Sequence, residues 1–219
     1  MIFRSLPAAV LWDMDGTLID SEPYWMKSEG AFAKAHNSPW TEQDGLSLVG
    51  MSLYDSSKII KERVGSELTP EAIIDQLTDE VTAQLKKEIL WRPGAKELLQ
   101  LLRRKKIKTA LVTMSMHRMA KEVVDAIGFD AFDVIVAGDD VRNGKPHPEP
   151  YLKAAELLGV KPEDCVAFED SISGLRSAEA AGTKAVGIKN IVEIPAESGR
   201  IIWNSLQGVS MSDLKGLFK

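Results

Sequence analysis

An α/β fold is predicted: a Rossmann-like, mostly parallel sheet covered by helices on both faces, with a small helical cap domain inserted after the first strand. Two observations predict it. Short apolar runs rich in β-branched residues, at 8–12, 107–113, 133–137, 164–168 and 184–188, alternate with segments of helical period near 94–105, 117–127, 148–159 and 172–181. That alternation marks βαβ units, whose strands are buried on both faces and therefore read as continuous apolar runs. Residues 19–90 break the rhythm, with helical patterns near 22–36, 52–64 and 70–88 and no buried strand between them.

Taken in order, the run Ala8–Trp12 meets Asp13 and Gly16 and reads as a strand ending in a loop. Pro39, Gly45, Gly50 and Pro70 punctuate the joins of the helical block, and Arg92-Pro93-Gly94 opens the return to alternation. Gly128, Gly159 and Gly182 stand where helix C-terminal caps fall. Linkers at 17–21 and 89–93 divide the chain into a core of 1–18 and 91–219 and a cap of 19–90. The stretch after 189 has weaker periodicity and is left unassigned.

Hydrophobic residues at 44% and charged residues at 27% of 219 describe a globular chain with a proper core. A net charge of −5 argues against nucleic-acid binding through a broad basic surface, so a small anion would be drawn in by local positive groups. The single cysteine, Cys165, cannot form an intramolecular disulfide and begins an apolar run, which reads as a small buried thiol. No apolar run reaches the length of a membrane span, and residues 1–7 lack a signal peptide's apolar core. The expected setting is cytoplasmic, without a membrane partner.

The chemistry concentrates at strand ends. In Asp13-Met14-Asp15-Gly16-Thr17-Leu18, the two aspartates are two residues apart, so in an extended segment they point the same way. Both can then face the space beyond the carboxyl end of the strand. Carboxylates that close repel each other unless a cation or a shared proton relieves them. An ordinary turn also uses Asp and Gly. A calcium loop needs a third acidic position and a Glu at its twelfth, and here the third is missing.

Thr113, followed by Met114-Ser115, ends the second run, and a hydroxyl beside free amides can hold a phosphate oxygen. A threonine there also commonly just ends a strand. Lys145, in the proline-stiffened segment Gly144–Pro150, can present a fixed charge to an anion, although a loop lysine is usually solvated. Glu169-Asp170-Ser171 is a second acidic pair after a second strand. Helix capping by Asp170 or Ser171 accounts for one polar residue, while two adjacent acids after a buried strand fit a metal site better. His36, His117 and His147 lack metal-ligand spacing and receive no catalytic role.

Carboxylate pair, hydroxyl, lysine and carboxylate pair, in that order, resemble the haloacid dehalogenase superfamily of phosphohydrolases over essentially the whole chain. Asp20-Ser21-Glu22-Pro23, Lys145-Pro146-His147-Pro148 and Glu169-Asp170-Ser171 are similar to its subfamily IA, β-phosphoglucomutase-like branch, which includes sugar-phosphate phosphatases. The resemblance implies that Asp13 attacks phosphorus to form an aspartyl-phosphate and that Asp15 is the general acid and base. It implies Mg²⁺ held by Asp13, the backbone carbonyl of Asp15 and Asp170, with Glu169 a further ligand or a partner behind one. Thr113 and Lys145 would hold phosphoryl oxygens. The acid at position 15 disfavours a dehalogenase, because halide leaves without a proton whereas an alkoxide requires one.

The mutases of that branch grip a second phosphate. They carry an Arg in the cap where this chain has Leu53, Lys-Asn where it has Met116-His117, and a His near the hinge where it has Trp25. Leu and Met cannot hold a phosphate as Arg and Lys do. Arg118 and Lys121 are nearby substitutes. The expected function is therefore a Mg²⁺-dependent phosphatase acting on a small phosphate ester, a sugar or polyol phosphate. The mutase is the alternative, followed by a phosphoglycolate or nucleotide phosphatase and a non-catalytic binding module. Trp25, Leu53, Tyr54, Met114 and Ser115, with the loop running on to His117, are the expected substrate contacts, although aromatic residues such as Trp25 and Tyr54 more often belong to the cap's own core than to a substrate wall. The sequence is silent on oligomeric state, and a monomer is compatible with it.

Overall fold

Among the residues described by the computed structural model, 6–197 and 199–218, six strands form one sheet in the order β3-β2-β1-β4-β5-β6. They are β1 (Ala9–Trp12), β2 (Lys108–Val112), β3 (Val134–Val136), β4 (Cys165–Glu169), β5 (Lys184–Ile188) and β6 (Ile201–Trp203). Every neighbouring pair is parallel. The chain winds outward from β1 through β2 to β3, then crosses to β4 on the other side of β1. The crevice beyond the carboxyl ends of β1 and β4 is thus a topological switch point, where open α/β sheets bind ligands.

Alternation along the strands builds two cores. Val10, Trp12, Leu111, Val166 and Phe168 face one side, and Trp12 packs edge-on against Phe168 with ring centroids 5.0 Å apart. Ala9, Leu11, Ala110, Cys165 and Ala167 face the other. The small residues on that second face let helices approach closely.

The inserted block is helical: α1 (Glu22–Ala35), α2 (Glu42–Leu46), α3 (Leu53–Val64) and α4 (Pro70–Leu85). It has its own buried cluster, including Phe32, Ile60, Ile73 and Leu77. The sheet is covered by α5 (Ala95–Arg104), α6 (His117–Ala126), α7 (Glu149–Leu158) and α8 (Ile172–Ala180), and α9 (Met211–Gly216) lies near the end of the chain. Gly159 caps α7 at φ +64°, and Gly128 and Gly182 follow α6 and α8 at φ +79° and +84°. Among the described residues no helix is long and apolar enough to cross a membrane.

Each expected strand and helix is present with its ends moved by a few residues. Three elements were not anticipated. The helix α2 is five residues long, too short for a period to register, but Thr41 and Asp44 close a capping box around its first turn. The short edge strand β6 and the six-residue α9 fall in the stretch left unassigned.

Candidate active site

Strand register assembles the site. Trp12 is paired with Phe168 of β4 on one side and Leu111 of β2 on the other. The ladder continues one residue further, where the Asp13 amide donates to the Phe168 carbonyl at 3.0 Å. Asp13 is therefore set beside Glu169 and Asp170, although 156 residues separate Asp13 from Glu169 (169 − 13). Similarly, the Thr113 amide donates to the Val136 carbonyl at 2.9 Å, which holds Thr113 at the same rim.

Lys145 arrives from the loop before α7. Its ammonium has three donors, and three acceptors meet them: Asp13 Oδ1 at 2.7 Å, Glu169 Oε1 at 2.6 Å and the Val112 carbonyl at 2.9 Å. The two buried carboxylates hold its pKa above the usual lysine value against the opposing effect of burial. Glu169 is fully buried and takes up more donors. Tyr151 Oη donates to Oε1 at 2.6 Å and Ser171 Oγ to Oε2 at 3.2 Å. A Cβ on Gly174 would lie 2.0 Å from this carboxyl group, so the glycine is what leaves it room.

Asp13 lies in an anionic pocket. Burial, then the charge of Glu169, push its pKa well above the usual carboxylate range, and Lys145 opposes them. Asp170 is pushed up to about 7, first by burial and then by Glu169, while the Asn190 amide at 2.8 Å works the other way. Ligand oxygens of Asp13, Glu169 and Asp170 all lie within 4.8 Å of one another. Asp13 Oδ2 is buried with no hydrogen-bond partner. An orphaned oxygen in an oxygen-only donor set, where carboxylates outnumber the single ammonium, fits a hard divalent cation. Gly16 makes the cluster possible, for it has φ +84° and a Cβ there would fall 2.0 Å from Asp170 Oδ2.

Asp15 is held by three hydroxyls. Ser21 Oγ donates to Oδ1 at 2.5 Å, while Ser115 Oγ and Thr113 Oγ1 donate to Oδ2 at 2.7 and 3.2 Å. Capping near β4 resolves in favour of Ser171, whose hydroxyl accepts from the Gly174 amide at the start of α8. Asp170 is thereby left to the cluster.

Asp13, Asp15, Thr113, Lys145 and Asp170 floor a cavity of ≈ 1070 Å³ between the sheet and the inserted helices. Of the expected substrate contacts, Trp25, Leu53, Tyr54, Met114 and Ser115 all line it. The loop's His117 does not; its ring and amide are taken by Asp140 and Asp139. The substitute cations are also elsewhere. Arg118 pairs with Asp75 and Asp79 of α4, and Lys121 with Asp125.

Sequence reasoning missed Tyr151, Asn190 and Glu29, and gave Ser21 and Glu22 no role beyond the motif Asp20-Ser21-Glu22-Pro23 that contains them. Ser21 occupies the N-cap position of α1, yet its side chain makes no cap hydrogen bond and donates to Asp15 instead. Nothing in the local sequence distinguishes Asn190 or Tyr151. Glu22 and Glu29 have the spacing of an ordinary solvated helix face, and only the packing of α1 brings them to the cavity.

A model of haloacid dehalogenase-like hydrolases matches residues 7–182. A phosphorylated carbohydrates phosphatase of Thermotoga maritima is 36% identical over 182 residues, 81% of this chain and 83% of that protein. A fructose-1-phosphate phosphatase of Escherichia coli is 30% identical over 183 residues, 83% of this chain and 96% of that one. Among solved structures, β-phosphoglucomutase from Clostridium difficile has a TM-score of 0.78 over 97% of both chains at 23% identity, a likeness of fold. With the family model spanning most of the chain and a relative 36% identical over 81% of it, the chain belongs to the haloacid dehalogenase-like hydrolases.

Proposed function

We propose that this phosphoric monoester hydrolase cleaves a small sugar or polyol phosphate, with Mg²⁺ as cofactor and an aspartyl-phosphate on Asp13 as intermediate. The observation that carries the reading is the buried, unpartnered Asp13 Oδ2 beside Asp170, at the floor of a cavity with room for a sugar phosphate. Asp13 and Asp170 would hold the cation, and Glu169, engaged by Lys145, Tyr151 and Ser171, would act mainly by fixing Lys145. When bound, the cation neutralises carboxylate and phosphoryl charge and so lets an anionic nucleophile approach an anionic ester.

An Asp13 oxygen bonds to phosphorus as the ester P–O bond breaks, and the departing alkoxide takes a proton from the Asp15 carboxyl. Asp15 then removes a proton from the water that attacks phosphorus, the Asp13–phosphorus bond breaks, and inorganic phosphate leaves. The Ser21, Ser115 and Thr113 hydroxyls aim the Asp15 carboxyl. Lys145 holds Asp13 in place and offsets its charge; a phosphoryl oxygen would share one of the three donors now on Asp13, Glu169 and Val112. Residues 19–90 would serve as the cap over a core of 1–18 and 91–219, with the protein acting in the cytoplasm.

Water is favoured over a sugar phosphate as the final acceptor. Lys145 is the only cation among the described residues lining the cavity, and it is occupied. A bisphosphate's second phosphate has no counter-charge there. The reading is tested by phosphate release from sugar, polyol, nucleotide and short-acid phosphates, with Mg²⁺ or EDTA, for wild type and Asp13→Asn. Mg²⁺-dependent release from sugar or polyol phosphates, absent in the variant, is expected. No phosphate release from any ester, together with conversion of β-glucose 1-phosphate to glucose 6-phosphate in the presence of the bisphosphate, would support the mutase instead.

A further inference from the structure

One face of α1 runs along the cavity wall. Glu22, Trp25 and Glu29, at i, i+3 and i+7, all line it. Glu22 stands at the floor, where its carboxyl feels the charges of Asp15 and Asp170. Seven residues of helix rise carry Glu29 about 10 Å further from the phosphate end.

Glu29 is an anomaly in its surroundings. It is 6% exposed, and what remains exposed opens on the cavity. Its Oε2 is buried without a hydrogen-bond partner. The cavity's lining also includes the apolar Leu48, Ile60 and Leu77. Room for the carboxyl depends on Gly45 of α2, where a Cβ would come within 3.2 Å of Oε2. A buried polar group left unpartnered is costly and calls for an explanation. A merely structural acid would have a partner within the fold.

We propose that Glu29 selects the substrate by its distal end: the carboxyl hydrogen-bonds a hydroxyl of the sugar or polyol body opposite the phosphate. The inference rests on the sugar- or polyol-phosphate reading above. Burial, with a contribution from Glu22, pushes Glu29 up to about 8, so near neutral pH its carboxyl is both donor and acceptor, like the hydroxyl it meets. An ester too short to span the α1 face gains nothing from it.

The test compares kcat/KM for glucitol 6-phosphate, 1-deoxyglucitol 6-phosphate, glycerol 1-phosphate and p-nitrophenyl phosphate in wild type, Glu29→Gln and Glu29→Leu. Wild type is expected to favour glucitol 6-phosphate over its 1-deoxy analogue by about tenfold, the size of one well-made hydrogen bond. Glu29→Leu is expected to abolish that preference and to lower the ratio of glucitol 6-phosphate to p-nitrophenyl phosphate by a similar factor; Glu29→Gln keeps most of both. Equal wild-type kcat/KM for the two glucitol esters overturns the inference without requiring any variant to fold, as does a Leu variant with unchanged ratios. A wild type that hydrolyses p-nitrophenyl phosphate but no sugar or polyol phosphate overturns the substrate reading itself. Turnover of glucitol 6-phosphate with a selectivity indifferent to Glu29 overturns only the role of Glu29.

Discussion

Lys145 Nζ donates to Asp13 Oδ1 across 2.7 Å, joining two side chains that are 4% and 9% exposed. The same ammonium meets Glu169 at 2.6 Å, so one cation organises two buried carboxylates from adjacent strands. Breaking such an arrangement from one side leaves uncompensated charge, and this gives the first prediction. Lys145→Met should destabilise the fold by about 3–5 kcal/mol, measured by urea unfolding, and should also end turnover. Adding Glu169→Gln to that variant should recover part of the stability and none of the activity.

In the proposed mechanism Asp15 protonates a poor leaving group. Asp15→Asn should slow hydrolysis of alkyl phosphates by about 10²–10⁴-fold. An aryl ester needs less help to depart, so p-nitrophenyl phosphate should still phosphorylate the variant while water attack stalls. Rapid mixing should then show a burst of nitrophenol near one equivalent of enzyme, followed by slow turnover. A wild-type steady state without a burst would count against the role.

Gly16 has two reasons to be glycine, its φ of +84° and the 2.0 Å between a Cβ there and Asp170 Oδ2. Gly16→Ala should displace Asp170 and raise the Mg²⁺ concentration for half-maximal activity about 10–100-fold, the usual effect of disturbing a ligand's support. Activity titrated with Mg²⁺ reads this directly.

Stability should carry the signature of Glu29. Its carboxyl is raised from the usual 4.5 to about 8 by burial, with a further push from Glu22. Between those values the folded chain keeps a proton that the unfolded chain has lost. Stability therefore falls as pH rises through that window, and the loss is complete above the folded pKa. Glu29→Gln lacks this proton, so its Tm should gain on wild type progressively from pH 4.5 to 8. Parallel Tm profiles would refute the shift.

The parts of the site that the sequence disclosed are those whose chemistry and secondary structure coincide. Asp13, Thr113 and Glu169-Asp170 follow buried strands, so their neighbourhood followed once the strands were parallel and β1 was central. Lys145 was legible as a rigid loop cation, but not the saturation of its three donors, because Glu169 and Val112 reach it only through strand order. Ser21 was legible only as part of the motif Asp20–Pro23, and Glu29 had the appearance of a solvated helix residue. Their places beside Asp15 and in the cavity wall arise from tertiary contacts separated from any local pattern. The same holds for β6, three residues whose strand conformation depends on the edge of β5.

The central claim is a covalent phosphoryl group on Asp13. Acid quenching during turnover of a sugar or polyol phosphate with Mg²⁺, followed by peptide mass mapping, tests it most directly. A phosphoryl group on the peptide containing Asp13, lost with EDTA and absent in Asp13→Asn, is the predicted result. Phosphate release by Asp13→Asn at the wild-type rate, with no phosphorylated peptide from either protein, would contradict the account.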